Sequence, residues 1–168
     1  MLAAIDVAYL RDVGIASVMT FTAWTDAAPT EEKIVRVPKC LKYTPGNFYK
    51  RELPVVLAAL RAIGPVDTII LDGFVRLDDA GQKGVGAYLF DELKGRTPIV
   101  GVSKAVFGGP GVEVLRGESK RPLRVTACGM PDEMAAKLVT VMHGTSRVPT
   151  LLKRCETAAR KAAGLPAT

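Results

Sequence analysis

The order in which the hydrophobic pattern changes along this chain constrains its fold more than any other feature. Three strand-like runs come first, with no helical periodicity among them. Residues 2–9 are apolar apart from Asp6, residues 14–23 are rich in β-branched side chains, and residues 33–40 alternate Ile34 and Arg36 against Val35 and Val37. A turn cluster at 25–30 links the second run to the third, so the three read as an antiparallel meander. From Glu52 onward the period changes, with Leu53, Val56, Leu57 and Leu60 at helical spacing until Gly64-Pro65 ends the run. Unbroken apolar runs at 68–71 and 99–102 have the signature of strands buried on both faces, and 83–94 between them can be helical.

Beyond Gly108-Gly109-Pro110-Gly111, residues 112–115 and 123–127 read as a hairpin or edge strands. Two amphipathic helices follow. Met134, Leu138, Val141 and Met142 share a face of the first, and Leu151, Leu152, Cys155, Ala158, Ala159 and Ala162 a face of the second. Three antiparallel strands, then alternating helices and strands, is the element order of the ribonuclease-H-like fold: α/β, a mixed central sheet with helices on both faces. A doubly wound sheet needs a helix after its first strand, and none is visible between Tyr9 and Gly14. The 168 residues suit one domain spanning 1–168, and a 48% hydrophobic fraction excludes a disordered chain.

The net charge of +6 is unevenly spread. Residues 1–95 hold 11 basic and 12 acidic groups, whereas 96–168 hold 12 and 5. A basic half suits a polyanionic partner, because every phosphate neutralised by Lys or Arg releases counterions; plain solubility is the alternative. Cys40, Cys128 and Cys155 are far apart, odd in number and outside any zinc spacing, as expected of inert thiols in a reducing compartment. No run approaches the ~20 apolar residues that cross a bilayer, and Asp6 comes too early for a signal peptide, so the expectation is a cytoplasmic protein without a membrane partner.

Two acids and one loop carry the chemistry. Asp6 interrupts the first strand and Asp72 sits immediately after the fourth; on adjacent strands their carboxylates would project at one end of the sheet, where oxygen ligands can hold a hard divalent cation. Each taken alone also fits a turn or a solvated side chain. Between Lys33 and Arg51 six basic residues and no acid interleave with Tyr43, Phe48 and Tyr49. Basic groups can follow a phosphate backbone while aromatic faces stack on bases; a lysine-guarded edge strand followed by a core-packing loop is the other reading.

The segment Tyr43-Thr44-Pro45-Gly46, followed by Glu52 nine residues after the tyrosine, resembles the endonuclease V family. Ala4-Ile5-Asp6-Val7-Ala8-Tyr9 and Leu71-Asp72-Gly73 are similar to its two strand motifs, and Gly101-Val102-Ser103-Lys104 to its Gly-Val-Ala-Lys strand end. Residues 114–129 and the two helices, with Arg147-Val148-Pro149 at their junction, follow its C-terminal layout, although the family's usual N-terminal leader is missing. The resemblance implies metal-dependent cleavage of DNA or RNA 3′ to deoxyinosine or inosine, by a monomer. It implies Asp6, Glu52 and Asp72 as ligands of Mg²⁺, with Mn²⁺ able to substitute, and Lys104 beside the scissile phosphate. Tyr43 matches the wedge residue, and Pro45, Gly46 and Gly73 match positions around the base pocket.

Two departures stand out. Where the family has a histidine after the second strand motif, this chain runs Phe74-Val75-Arg76-Leu77-Asp78-Asp79, leaving Asp78 as an additional ligand or a solvated loop acid. The family's Ser-x-Gly-His segment, which supplies a further active-site group, is matched by Ala127-Cys128-Gly129-Met130, and a thioether serves neither a hard cation nor proton transfer. A catalytically weakened nucleic-acid-binding relative, or a ribonuclease-H-like nuclease that selects nucleic-acid structure, is therefore kept beside the inosine nuclease. His143 is expected at a helix end, outside the site.

Overall fold

The computed structural model describes residues 1–104 and 109–168. β1 (Leu2–Leu10) and β2 (Val13–Phe21) pair antiparallel along their full length, from Leu2 opposite Phe21 to Leu10 opposite Val13, and β3 (Glu31–Val37) adds to the far side of β2. α1 (Phe48–Ile63) then crosses over to β4 (Thr68–Asp72), which lies parallel to β1, and α2 (Val85–Glu92) crosses to β5 (Ile99–Ser103), parallel to β4. β6 (Val112–Val114) and β7 (Leu123–Cys128) form the expected hairpin, but β7 is the inner strand, antiparallel to β5. Among the described residues these make one sheet in the order β3-β2-β1-β4-β5-β7-β6, the ribonuclease-H-like arrangement. α3 (Asp132–Thr140) and α4 (Thr150–Ala162) complete the chain.

Strand alternation divides the core. Leu2, Ala4, Ile70, Val100 and Val102 pack with Ala135, Val139, Leu151 and Cys155 of α3 and α4. Ala3, Ile5, Ile69, Leu71 and Ile99 pack with Val55, Val56 and Ala59 of α1 and with Leu89 of α2. The central strands are thus buried on both faces, which is why 68–71 and 99–102 read as unbroken apolar runs.

Helix boundaries depart from the hydrophobic pattern for a physical reason. α1 begins at Phe48, before the periodic leucines, because its first turn lies over a cleft instead of the core and has no apolar stripe to show. α2 is shorter than 83–94: the Gly84 N–H donates to Val75 O at its start, and Lys94 takes φ 56° just beyond its end.

Gly101 marks the tightest approach beneath the functional end of the sheet. A Cβ there would lie 2.5 Å from Gly73 O, 2.8 Å from Val75 N and 3.0 Å from Thr126 Oγ1. Two of those atoms already form a buried hydrogen bond, Val75 N–H donating to Thr126 Oγ1 at 2.9 Å. Gly101→Ala must push backbone apart or break that bond, so a loss of about 2–3 kcal/mol in urea unfolding is expected; a variant of unchanged midpoint would contradict this packing.

Candidate active site

β1 and β4 are paired through Ile5 opposite Leu71, so Asp6 and Asp72 occupy the next register position on neighbouring parallel strands. Both extend the even-numbered face that α4 covers. Asp6 is half-buried, with Oδ1 accepting the Val7 N–H at 2.9 Å. Burial, then the charge of Asp72, pushes its carboxyl up to about 7. Glu52 comes from the opposite side, on α1; burial, then Asp6 and Asp72, pushes it up to about 8. Burial likewise lifts Asp72 above the usual carboxylate range, an effect Lys104 partly offsets. Acids that perturb one another in this way share one electrostatic site.

Lys104, just beyond β5, enters that site. Its Nζ lies 3.5 Å from Asp72 Oδ2 and donates to Glu156 Oε1 at 2.8 Å. Burial opposes its charge, but the bond to Glu156 and the charge of Asp72 outweigh that and hold the ammonium above its ordinary range. Glu156, on α4, also receives Lys153 Nζ on Oε2 at 3.2 Å. Burial would raise its carboxyl, yet the two lysines bring it below its usual value. Among the described residues no three His, Cys, Asp or Glu side chains stand together as a ready-made ligand set.

Glu156 is the site residue that sequence reasoning missed. It is the lone acid of α4, among Lys153, Arg154, Arg160 and Lys161, and it falls between Leu152 and Ala159 at helical spacing. An acid on the apolar border of an otherwise basic helix, with a side chain only 12% exposed, was the available signal.

On the α1 side, a cleft of about 400 Å³ opens beside Glu52 and Asp72, lined also by Tyr43, Gly46, Gly73 and Tyr88. Tyr43 is 59% exposed at its rim and meets Phe48 edge-on, with centroids 6.0 Å apart. Tyr49 stacks on Tyr88 at 3.7 Å. Gly46 (φ 79°) and Gly73 (φ 127°) need glycine for their backbone conformation; a Cβ at either would project into open space. Pro45 is exposed between Tyr43 and Gly46. The basic segment divides: Lys33 Nζ donates to Ala62 O at 2.7 Å and Arg51 stacks on Tyr9 at 3.7 Å, while Lys42 and Lys50 stay exposed beside the tyrosines.

Asp78 turns its carboxylate to its own loop, Oδ1 accepting the Gln82 N–H at 2.8 Å. The expectation that Met130 replaces an active-site group is corrected. β7 runs antiparallel to β5, placing Cys128 opposite Ile99, while Asp72 lies opposite Val102 at the other end of β5. Met130 therefore follows β7 away from the acids and packs on the core beneath α3 and α4. His143 is exposed, its Nδ1 3.0 Å from Thr150 Oγ1.

Comparison with solved structures finds the same architecture. An endonuclease V from Streptomyces avermitilis is 26% identical, with TM-score 0.77 over 97% of this chain and 81% of that one. Human ENDOV is 20% identical, with TM-score 0.75 over 97% and 84%. A variant of the Ciona intestinalis endonuclease V, in complex with a 23mer DNA containing an inosine followed by a ribo-adenosine, is 16% identical, with TM-score 0.73 over 97% and 85%. No curated protein matches the chain. The model of the family Endonuclease V matches residues 1–143, and this chain, with its acids gathered at the end of β1 and β4, belongs to the endonuclease V family of nucleases.

Proposed function

We propose that this nuclease hydrolyses a phosphodiester bond 3′ to inosine or deoxyinosine, in RNA or DNA, with a divalent cation. The observation that carries the reading is the pair of half-buried carboxylates, Asp6 and Glu52, raised to about 7 and about 8 by burial and by neighbouring carboxylates, Asp72 acting on both and Asp6 on Glu52, beside a cleft rimmed by Tyr43. Such a set is short of positive charge, and its donors are all hard oxygens, so it fits Mg²⁺ or Mn²⁺ and not a soft metal. Asp6, Glu52 and Asp72 would hold the cation, which when bound polarises the phosphoryl group and acidifies water.

The chain's own residues do the rest. Lys104, held by Glu156 and Asp72, presents a fixed positive charge to a phosphate oxygen. Tyr43 fills the gap left in the stack when the deaminated base leaves it, and Gly46 and Gly73 let backbone border the displaced base. Incubation with matched inosine- and adenosine-containing oligonucleotides in Mg²⁺ or Mn²⁺ tests the reading; equal inertness toward both sinks it. Tyr43→Ala removes a stacking surface worth about 1–3 kcal/mol, so kcat/KM on the inosine strand should fall roughly 5- to 150-fold with thermal stability unchanged.

A further inference from the structure

On the α4 side, away from Tyr43, a second and larger groove of about 970 Å³ runs along the outer face of α4. Its floor is a helical stripe of Thr150, Lys153, Arg154, Thr157, Ala158 and Lys161, opposite the buried Leu151, Cys155 and Ala159. The stripe carries three cations, and the one acid of the groove, Glu32, is occupied by Arg154 at 2.7 Å. Hydroxyls of Thr145, Ser146, Thr150 and Thr157 offer further donors. The groove joins the active site at Lys153, whose Nζ reaches Glu156, and at Val148, which lines both spaces.

The wall opposite α4 is fixed in advance. Arg116 is buried and donates to Ser146 O at 2.8 Å and to Gly144 O at 3.1 Å, holding the loop between α3 and α4. Arg147 donates to Pro122 O at 2.9 Å and to Lys104 O at 3.0 Å, tying the same loop to the strand end that carries Lys104. A preformed, hydroxyl-lined, cationic groove opening onto a phosphodiesterase centre matches a run of phosphates better than it matches an apolar or acidic surface.

We infer that this groove seats the sugar–phosphate backbone of the substrate on the flank away from the Tyr43 loop, so that nucleic acid is gripped on both sides of the acids. The inference rests on the function proposed above. Lys153 to Lys161 spans ~12 Å of helix, over which one strand of a duplex presents about three phosphates. Lys153 meets the active site at Glu156, and Lys161 lies at the distal end.

Lys161→Glu and, separately, Thr157→Glu test it, since both side chains are exposed on α4. Arg96→Glu, an exposed reversal just before β5 and so at the opposite end of the sheet, is the control. Binding to a long inosine oligonucleotide is measured across a salt series in an Asp72→Asn background. Lys161→Glu is expected to weaken binding roughly tenfold and to lower the salt slope by about one, with Thr157→Glu in the same direction and Arg96→Glu without effect. Trimming the oligonucleotide from one end should abolish the difference between the two proteins; trimming from the other should preserve it. Equal affinities and slopes, or an effect indifferent to which end is trimmed, overturn the groove while leaving the nuclease reading intact. If the protein with an unaltered groove binds no inosine oligonucleotide, both fall together.

Discussion

Asp72→Asn is expected to lower cleavage of an inosine-containing strand by on the order of 10³-fold or more, with affinity for that strand changed by only a few fold. Asp72 lies between the two halves of the site: it lines the cleft rimmed by Tyr43 and also the space enclosed with Asp6, Lys104 and Glu156. Asparagine keeps its size and one oxygen but removes the charge that would hold a cation and that faces Lys104 at 3.5 Å. Binding should survive, because the cations of the 33–51 segment and of α4 are untouched and losing a carboxylate reduces repulsion of phosphate. Single-turnover cleavage beside equilibrium binding separates the two effects. A variant that cuts within tenfold of wild type would remove Asp72 from the chemistry.

The second large effect is on stability, and its sign follows from the raised acids. Asp6 moves from 3.8 to about 7 and Glu52 from 4.5 to about 8, so the folded chain retains protons that the unfolded chain releases. Stability from these groups is complete below pH ~4 and is lost as pH rises toward about 8. Glu52→Gln removes one of the buried charges. In metal-free buffer at pH 8.5 the variant should melt above wild type by about 4–8 °C, corresponding to about 2 kcal/mol once solvent screening is allowed for, and the gain should vanish near pH 4. Added Mg²⁺ or Mn²⁺ should raise the melting temperature of wild type at pH 8.5 more than that of the variant. A wild-type melting temperature flat from pH 5 to 9 and indifferent to either cation would show that these carboxylates meet little repulsion and hold no cation.

How far the sequence reveals such a site depends on where each residue sits. Asp6 and Asp72 were legible because a charge stands out in, or at the end of, an apolar strand, and parallel pairing makes them neighbours. Glu52 carried no such contrast: it lies in the first turns of α1, above a cleft, and only its spacing from Tyr43 singled it out. Glu156 was hidden among the cations of an amphipathic helix, where an acid ordinarily faces solvent; its burial depends on how α4 is rotated against β1, which no local pattern encodes. Met130 was misplaced because linear order does not tell that β7 turns back toward the start of β5. Element type and face follow from short-range periodicity, whereas strand pairing and the placing of these side chains follow from long-range docking.

That docking has a temporal side. Cys155 of α4 donates from Sγ to Ala4 O, 151 residues earlier, and to Ser17 O, so the cover over the acids comes from a segment made long after the strands it rests on. Closing so long a loop is slow and entropically costly. A precursor ending before Thr150 would carry β1 and β2 without the helix that rests on them, and Lys104 without the Glu156 carboxylate that its Nζ meets at 2.8 Å.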